Sequence, residues 1–264
     1  MILYYYISAY SIVISALYFF LPLYLKNTLN FTGGQIGLLY GMLSLNAILV
    51  AFPVGVTGDR YPARILTRLG LVGAALCLWG LAGVRQFWTF LAIFWPFGLS
   101  LQLFRQSLDI MLFKGNTADA TRSFGHFNAW RMGGMTLGII LGGFSLYFLD
   151  FPITFKLLGV GLLLLLWPTL RLPLTRGVRT PLGEYRRDFL TGPVLFFATW
   201  LFLFTLHWGA EATSLALFLQ KNLGLDQRGV GLYMAGEFGV VALTAYLYGH
   251  IKPHPTRVQA QVLL

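Results

Sequence analysis

Six residues able to carry charge or a proton stand inside otherwise apolar stretches: Arg105, Asp109, Arg131, His207, Glu211 and Glu237. A charged side chain near a bilayer centre costs roughly 2.5 to 3.5 kcal/mol, so such groups face a cavity or one another rather than lipid. Arg105 and Asp109 are four residues apart and share one helical face, as do His207 and Glu211. A carboxylate beside an arginine can exchange that pairing for a proton when a conformational change alters its surroundings, which makes Asp109 and Glu211 candidate proton carriers. Arg105 and Arg131 can grip an anionic or hydroxylated solute through forked hydrogen bonds. The competing reading of all six is a set of static interhelical pairs. Trp130, Trp200 and Trp208 could stack on a ligand, with ordinary packing as the alternative.

These residues need a scaffold that lives in lipid. Of the 264 residues, 57% are hydrophobic and 11% charged, and mean hydropathy is +0.70, far from the balance of a soluble domain. Apolar runs of about 20 residues, the length that spans a hydrocarbon core as a helix, recur between short polar or Gly/Pro-rich breaks. The runs are continuous rather than alternating, which favours an all-α membrane protein over a barrel. About eight spans are expected, near residues 2–26, 35–57, 65–84, 88–113, 124–148, 153–172, 190–220 and 229–250.

The net charge of +10 falls between these runs and forms no patch or stripe, so no nucleic acid partner is expected. Twelve Lys and Arg residues fall on one side of the spans, from Arg60, Arg64 and Arg68 through the 171–188 stretch to Lys252 and Arg257. Five fall on the other: Lys26, Arg85, Lys156, Lys221 and Arg228. The richer side is expected to be cytoplasmic, and the amino terminus with it, in a multi-pass protein of the cell membrane. Cys77 is single and lies in an apolar segment, so neither a disulfide nor a metal cluster is expected. No cofactor is expected, and the absence of a phosphate-binding glycine loop or nucleophile triad argues against an enzyme.

Two segments carry more specific information. After the second span stands Gly55-Val-Thr-Gly-Asp59-Arg60-Tyr-Pro62-Ala-Arg64. It resembles the cytoplasmic loop signature of the major facilitator superfamily (MFS), GxxxD(R/K)xG(R/x)(R/K), with Gly55, Asp59, Arg60 and Arg64 on matching positions and Pro62 in place of the second glycine. Physically, Gly55 allows close helix contact, Asp59 can meet the end of a neighbouring helix, and the arginines anchor to headgroups or pair with acids. In the fifth span, Gly134, Gly138, Gly142 and Gly143 form a small-residue ridge suited to helix packing. The ridge is similar to the superfamily's antiporter signature, except that Ile139 replaces its proline.

The resemblance implies an MFS-type helical bundle of two parallel repeats. Residues 1–172 would form the first six-helix bundle, 173–189 a cytoplasmic linker, and 190–264 the start of the second bundle: two helices and a short tail. An ungapped shift of 194 residues, which lays Gly37 over Gly231 and Gly55 over Gly249, is consistent with such a repeat. A complete member has twelve spans, so the chain is expected to be incomplete. Helices 1, 4, 7 and 10 line the cavity in this family, which points Arg105, Asp109, His207 and Glu211 toward a solute path. The expected function is secondary active transport of a small solute by alternating access, with a proton as the expected coupling ion. The alternative is a non-transporting sensor, scaffold or degenerate fragment that keeps the fold.

Overall fold

The computed structural model describes residues 2–115, 120–172 and 191–250; these contain helices and no strand. Eight long helices account for nearly all of them. Helix α1 runs Ile2–Tyr18 and continues through Leu21–Leu23 and a π turn, Tyr24–Thr28. It is followed by α2 (Gly33–Arg60), α3 (Ala63–Leu81), α4 (Phe87–Gly115) and α5 (Ala120–Phe148). Then come α6 (Phe151–Leu164, with a 3-10 turn at Trp167–Arg171), α7 (Gly192–Leu223) and α8 (Gln227–His250). Among the described residues, α1, α3, α4, α6 and α8 are long and apolar enough to cross a membrane. The other three reach 28, 29 and 32 residues.

Helix ends follow local chemistry. Thr32 and Gln35 form a reciprocal capping box at the start of α2. The Asp150 carboxylate accepts the Ile153 N–H at 2.8 Å and starts α6. Gly224 ends α7 at φ +65°, a conformation open to glycine without a Cβ penalty. Beyond it Asp226 accepts the Gly229 N–H at 2.8 Å. That bond and the Arg228 guanidinium hold its carboxyl below the usual carboxylate range.

The break in α1 has a specific cause and a specific remedy. Pro22 has no N–H, so the Tyr18 carbonyl loses the helix donor it would otherwise have. The Tyr40 hydroxyl donates to that carbonyl instead, at 2.6 Å, and the two rings meet edge to face at 5.3 Å. Tyr40→Phe is expected to lower stability by about 1 to 2 kcal/mol. In a Pro22→Ala background the regained N–H should absorb most of that cost. A denaturant double-mutant cycle in detergent tests this, and an equal cost in both backgrounds would refute it.

Packing runs as a continuous sequence of neighbours: α2 on α4, α4 on α3, α3 on α6, α6 on α1, α1 on α5, and α5 on α8. Helix α7 touches Leu21–Leu23 at the end of α1, together with α2 and α8. Buried aromatic and aliphatic side chains fill the first six helices, among them Tyr24, Phe90, Phe94, Phe104 and Phe155. A second cluster joins Phe19, Phe20 and Leu23 to Ile139, Leu219, Val230 and Met234, and so ties α7 and α8 to α1 and α5.

Where α1 meets α5 the backbones nearly touch. A Cβ on Gly142 would sit 2.7 Å from the Ala16 backbone, and Cβ atoms on Gly134 and Gly138 would collide with the Ser8 and Ile12 backbones. Gly143 instead faces α8, 2.7 Å from the Gln227 carbonyl by the same measure. The Ser15 hydroxyl lies 2.7 Å from the Ser11 carbonyl and 3.0 Å from that of Met135, sharing its one proton between α1 and α5.

Candidate functional site

Helix α4 brings Arg105 and Asp109 to the site. Its Pro96 leaves the Ala92 carbonyl without a helix donor, and one residue before the proline the buried Asn46 of α2 crosses to donate to the Trp95 carbonyl at 3.0 Å. Gly98 makes this crossing possible, since a Cβ there would run into the Asn46 and Leu43 side chains. Seven residues on, the same face of α4 carries Arg105, and one turn further Asp109. There Arg105 is exposed and Asp109 half-buried. The adjacent face packs on α1, where Tyr10 stacks on Phe104 with ring centroids 3.8 Å apart.

Arg131 of α5 completes the cluster. Half-buried, it donates from Nε and Nη2 to the Asn128 Oδ1, at 3.1 and 2.8 Å. That bond ties it to the turn of α5 that precedes it. Asp109 is within electrostatic reach of both Arg105 and Arg131, and Arg131 within reach of Arg105 and Asp109. Arg105 also senses the Tyr10 hydroxyl. No hydrogen bond or ion pair joins the three directly among the described residues. Two guanidinium groups and one carboxylate thus stand close together with one positive charge in excess.

Glu211 and Glu237 form a separate pair across α7 and α8, each within electrostatic reach of the other. Glu211 is half-buried and Glu237 exposed. The charges thus fall into two groups, Arg105, Asp109 and Arg131 on α4 and α5, and Glu211 and Glu237 on α7 and α8. The side chain of His207 lies outside the described residues, as do those of Asp59 and Arg60 and the whole of the 173–189 linker.

The loop signature sits mostly on helix. Helix α2 continues through Arg60, and Pro62 makes the turn into α3. A Cβ on Gly55 would meet open space, so Gly55 makes no close helix contact with the described residues. Arg64 donates to the Leu170 carbonyl at 3.1 Å, pairing with the carboxyl end of α6 rather than with an acid.

Asn128 and Asn46 were not expected from the sequence, whereas Tyr10, expected with Tyr4, Tyr5 and Tyr6 in an interfacial belt, is buried against Phe104. Asn128 had a readable signal, an amide three residues before an intramembrane arginine on one helical face. Trp130 shares its face of α5 with Leu137, Leu141 and Phe144, all exposed, and so points outward rather than toward the charges.

Residues 4–263 match the family model for the Major Facilitator Superfamily. The chain belongs to that superfamily. No curated protein sequence matches this superfamily member significantly. Its fold is similar to a crystal structure of a single-substitution mutant of the nucleoside transporter NupG, at TM-score 0.72 and 14% identity over 99% of this chain and 77% of that one. A second NupG structure gives TM-score 0.71 at 16% identity, covering 94% of this chain and 66% of the other. The human organic anion transporter MFSD10 (TETRAN) gives 0.64 at 19% identity, covering 98% and 73%. The chain thus spans about two thirds to three quarters of those transporters' lengths. These matches establish a multi-pass membrane protein with a transporter fold.

Proposed function

We propose that this superfamily member is a secondary active transporter of a small solute, coupled to protons and working by alternating access. The observation that carries this reading is the Arg105, Asp109 and Arg131 cluster, one exposed and two half-buried charges on α4 and α5 with no direct partner for the carboxylate among the described residues. Static ion pairs would be expected to close on one another, because an unpaired charge in a low-dielectric interior is costly. Charges left apart suit a site that receives a ligand. Asp109 is assigned as proton carrier, with Arg105 and Arg131 as solute-binding groups and Glu211, Glu237 and His207 as further proton-path residues. The excess positive charge favours a solute bearing an acidic or hydroxyl-rich group.

Alternating access is supported by where the two parts of the chain touch. Asn27 at the end of α1 donates to Gln220 near the end of α7 at 2.8 Å. At the same end of the bundle the Arg228 guanidinium lies over the Tyr147 ring, 3.8 Å from its centroid. Arg105 lies roughly 27 Å along α4 from the start at Phe87, nearer the opposite end, and is exposed there. A cell-membrane location with the amino terminus inside follows from the basic bias of the loops.

The test uses proteoliposomes loaded with a pH-sensitive dye. Nucleosides, organic anions and sugar acids are added outside in turn. The expected result is internal acidification with one solute class and not with buffer alone. Solute uptake without proton movement would remove the coupling. No uptake of any class together with solute-dependent changes in protein fluorescence would favour the non-transporting sensor.

A further inference from the structure

Arg64 and Arg68 at the start of α3 both reach the end of α6. Arg64 donates to the Leu170 carbonyl at 3.1 Å, and Arg68 donates from Nε to the Thr169 hydroxyl at 2.9 Å. Arg171 follows directly and is exposed. Two guanidinium groups are thus fixed at one corner, with Arg171 next to their partners along the chain, and among the described residues none of the three has an acidic partner. Each guanidinium has five N–H donors. A single hydrogen bond to protein is recorded for each of the first two, so most of their donors stay available.

The surroundings of this corner are those of a bilayer interface. Below the arginines on α3, Ile65 and Leu69 are 46% and 58% exposed, and on the α6 side Trp167 is 77% exposed. In a membrane-spanning bundle such side chains face lipid, and tryptophan is favoured at headgroup depth. The hydrogen bonds to Leu170 and Thr169 fix two of the arginines at the edge of this apolar surface, where a free side chain would otherwise swing into water.

We infer that the corner between the start of α3 and the end of α6 binds the headgroup of an anionic phospholipid. The phosphate takes the forked donors of Arg64, Arg68 and Arg171, and the acyl chains lie along Ile65, Leu69 and Trp167. The inference rests on the membrane reading alone, and it stands or falls independently of proton coupling.

The experiment is native mass spectrometry of the purified protein released from nanodiscs of mixed phosphatidylcholine and phosphatidylglycerol. The wild type is expected to retain phosphatidylglycerol in preference to phosphatidylcholine. Arg64→Gln, Arg68→Gln and Arg171→Gln together should reduce that preference about fivefold per arginine removed. Arg171→Gln alone changes an exposed side chain with no recorded hydrogen bond, so a misfolded triple variant leaves this single one to decide. Equal retention of the two lipids by the wild type would overturn the inference, as would unchanged retention in Arg171→Gln. Displacement of phosphatidylglycerol by millimolar inorganic phosphate would overturn the lipid assignment in favour of a free-anion site.

Discussion

Asp109→Asn is expected to bring uptake driven by a pH gradient down to the level of protein-free liposomes, with the protein still folded. Asparagine keeps the shape of the side chain and removes only its charge and its proton. Asp109 has no hydrogen bond or ion pair among the described residues, so the substitution breaks no direct contact. What it does change is the charge balance. Arg105 and Arg131 lose a carboxylate within electrostatic reach, and the cluster can no longer alternate between protonated and ionised states. Downhill exchange of solute should survive, because both arginines remain to bind it. A protein that still concentrates solute against its gradient when a pH difference is imposed would sink the coupling role of Asp109. Loss of both exchange and concentration in a folded variant would move Asp109 from proton carrier to solute ligand.

The second large effect concerns folding. Gly138→Val should prevent α1 and α5 from packing and cost on the order of 3 kcal/mol or more. A Cβ at Gly138 already runs into the Ile12 backbone and the Ser15 hydroxyl. Backbone cannot rotate away as a side chain can, so the helices must separate. Separation breaks the Ser15 bond to the Met135 carbonyl as well. Gly133 supplies the control, since a Cβ there would meet nothing within 4 Å. Gly133→Ala should be neutral or stabilise by up to about 1 kcal/mol through helix propensity alone. Thermal unfolding in detergent compares the two, and an equal Tm for both variants would show that the α1–α5 contact carries little of the stability.

The helices were legible because their causes are local. Continuous apolar runs between Gly/Pro breaks place them within a few residues of where they are found, and Thr32, Asp150 and Gly224 punctuate them. The second span was expected to end near residue 57, and α2 runs on to Arg60, with the break at Pro62. The identity of charged site residues was readable, since an arginine or carboxylate in an apolar run stands out. Their grouping was not. Whether Glu211 belongs with Asp109 or with Glu237 depends on how α7 and α8 sit against the first six helices, which periodicity along one helix does not encode. Asn46 illustrates the same limit: its partner is a backbone carbonyl near Pro96 on another helix, and no side-chain pattern announces it.

The two glycine contacts of α5 differ in what they permit. Against α1 the ridge is pinned by the Ser15 hydroxyl, so these two helices travel as one piece. Against α8 the seam pairs Gly143 with Gly231, whose Cα lies 3.4 Å from where a Gly143 Cβ would be. Beside it Ile139 and Leu146 of α5 pack with Val230 and Met234 of α8 in the second buried cluster, so buried side chains hold α8 where a hydrogen bond holds α1. In mechanical terms α5 is a shared spine that carries α1 on one face and α8 on another.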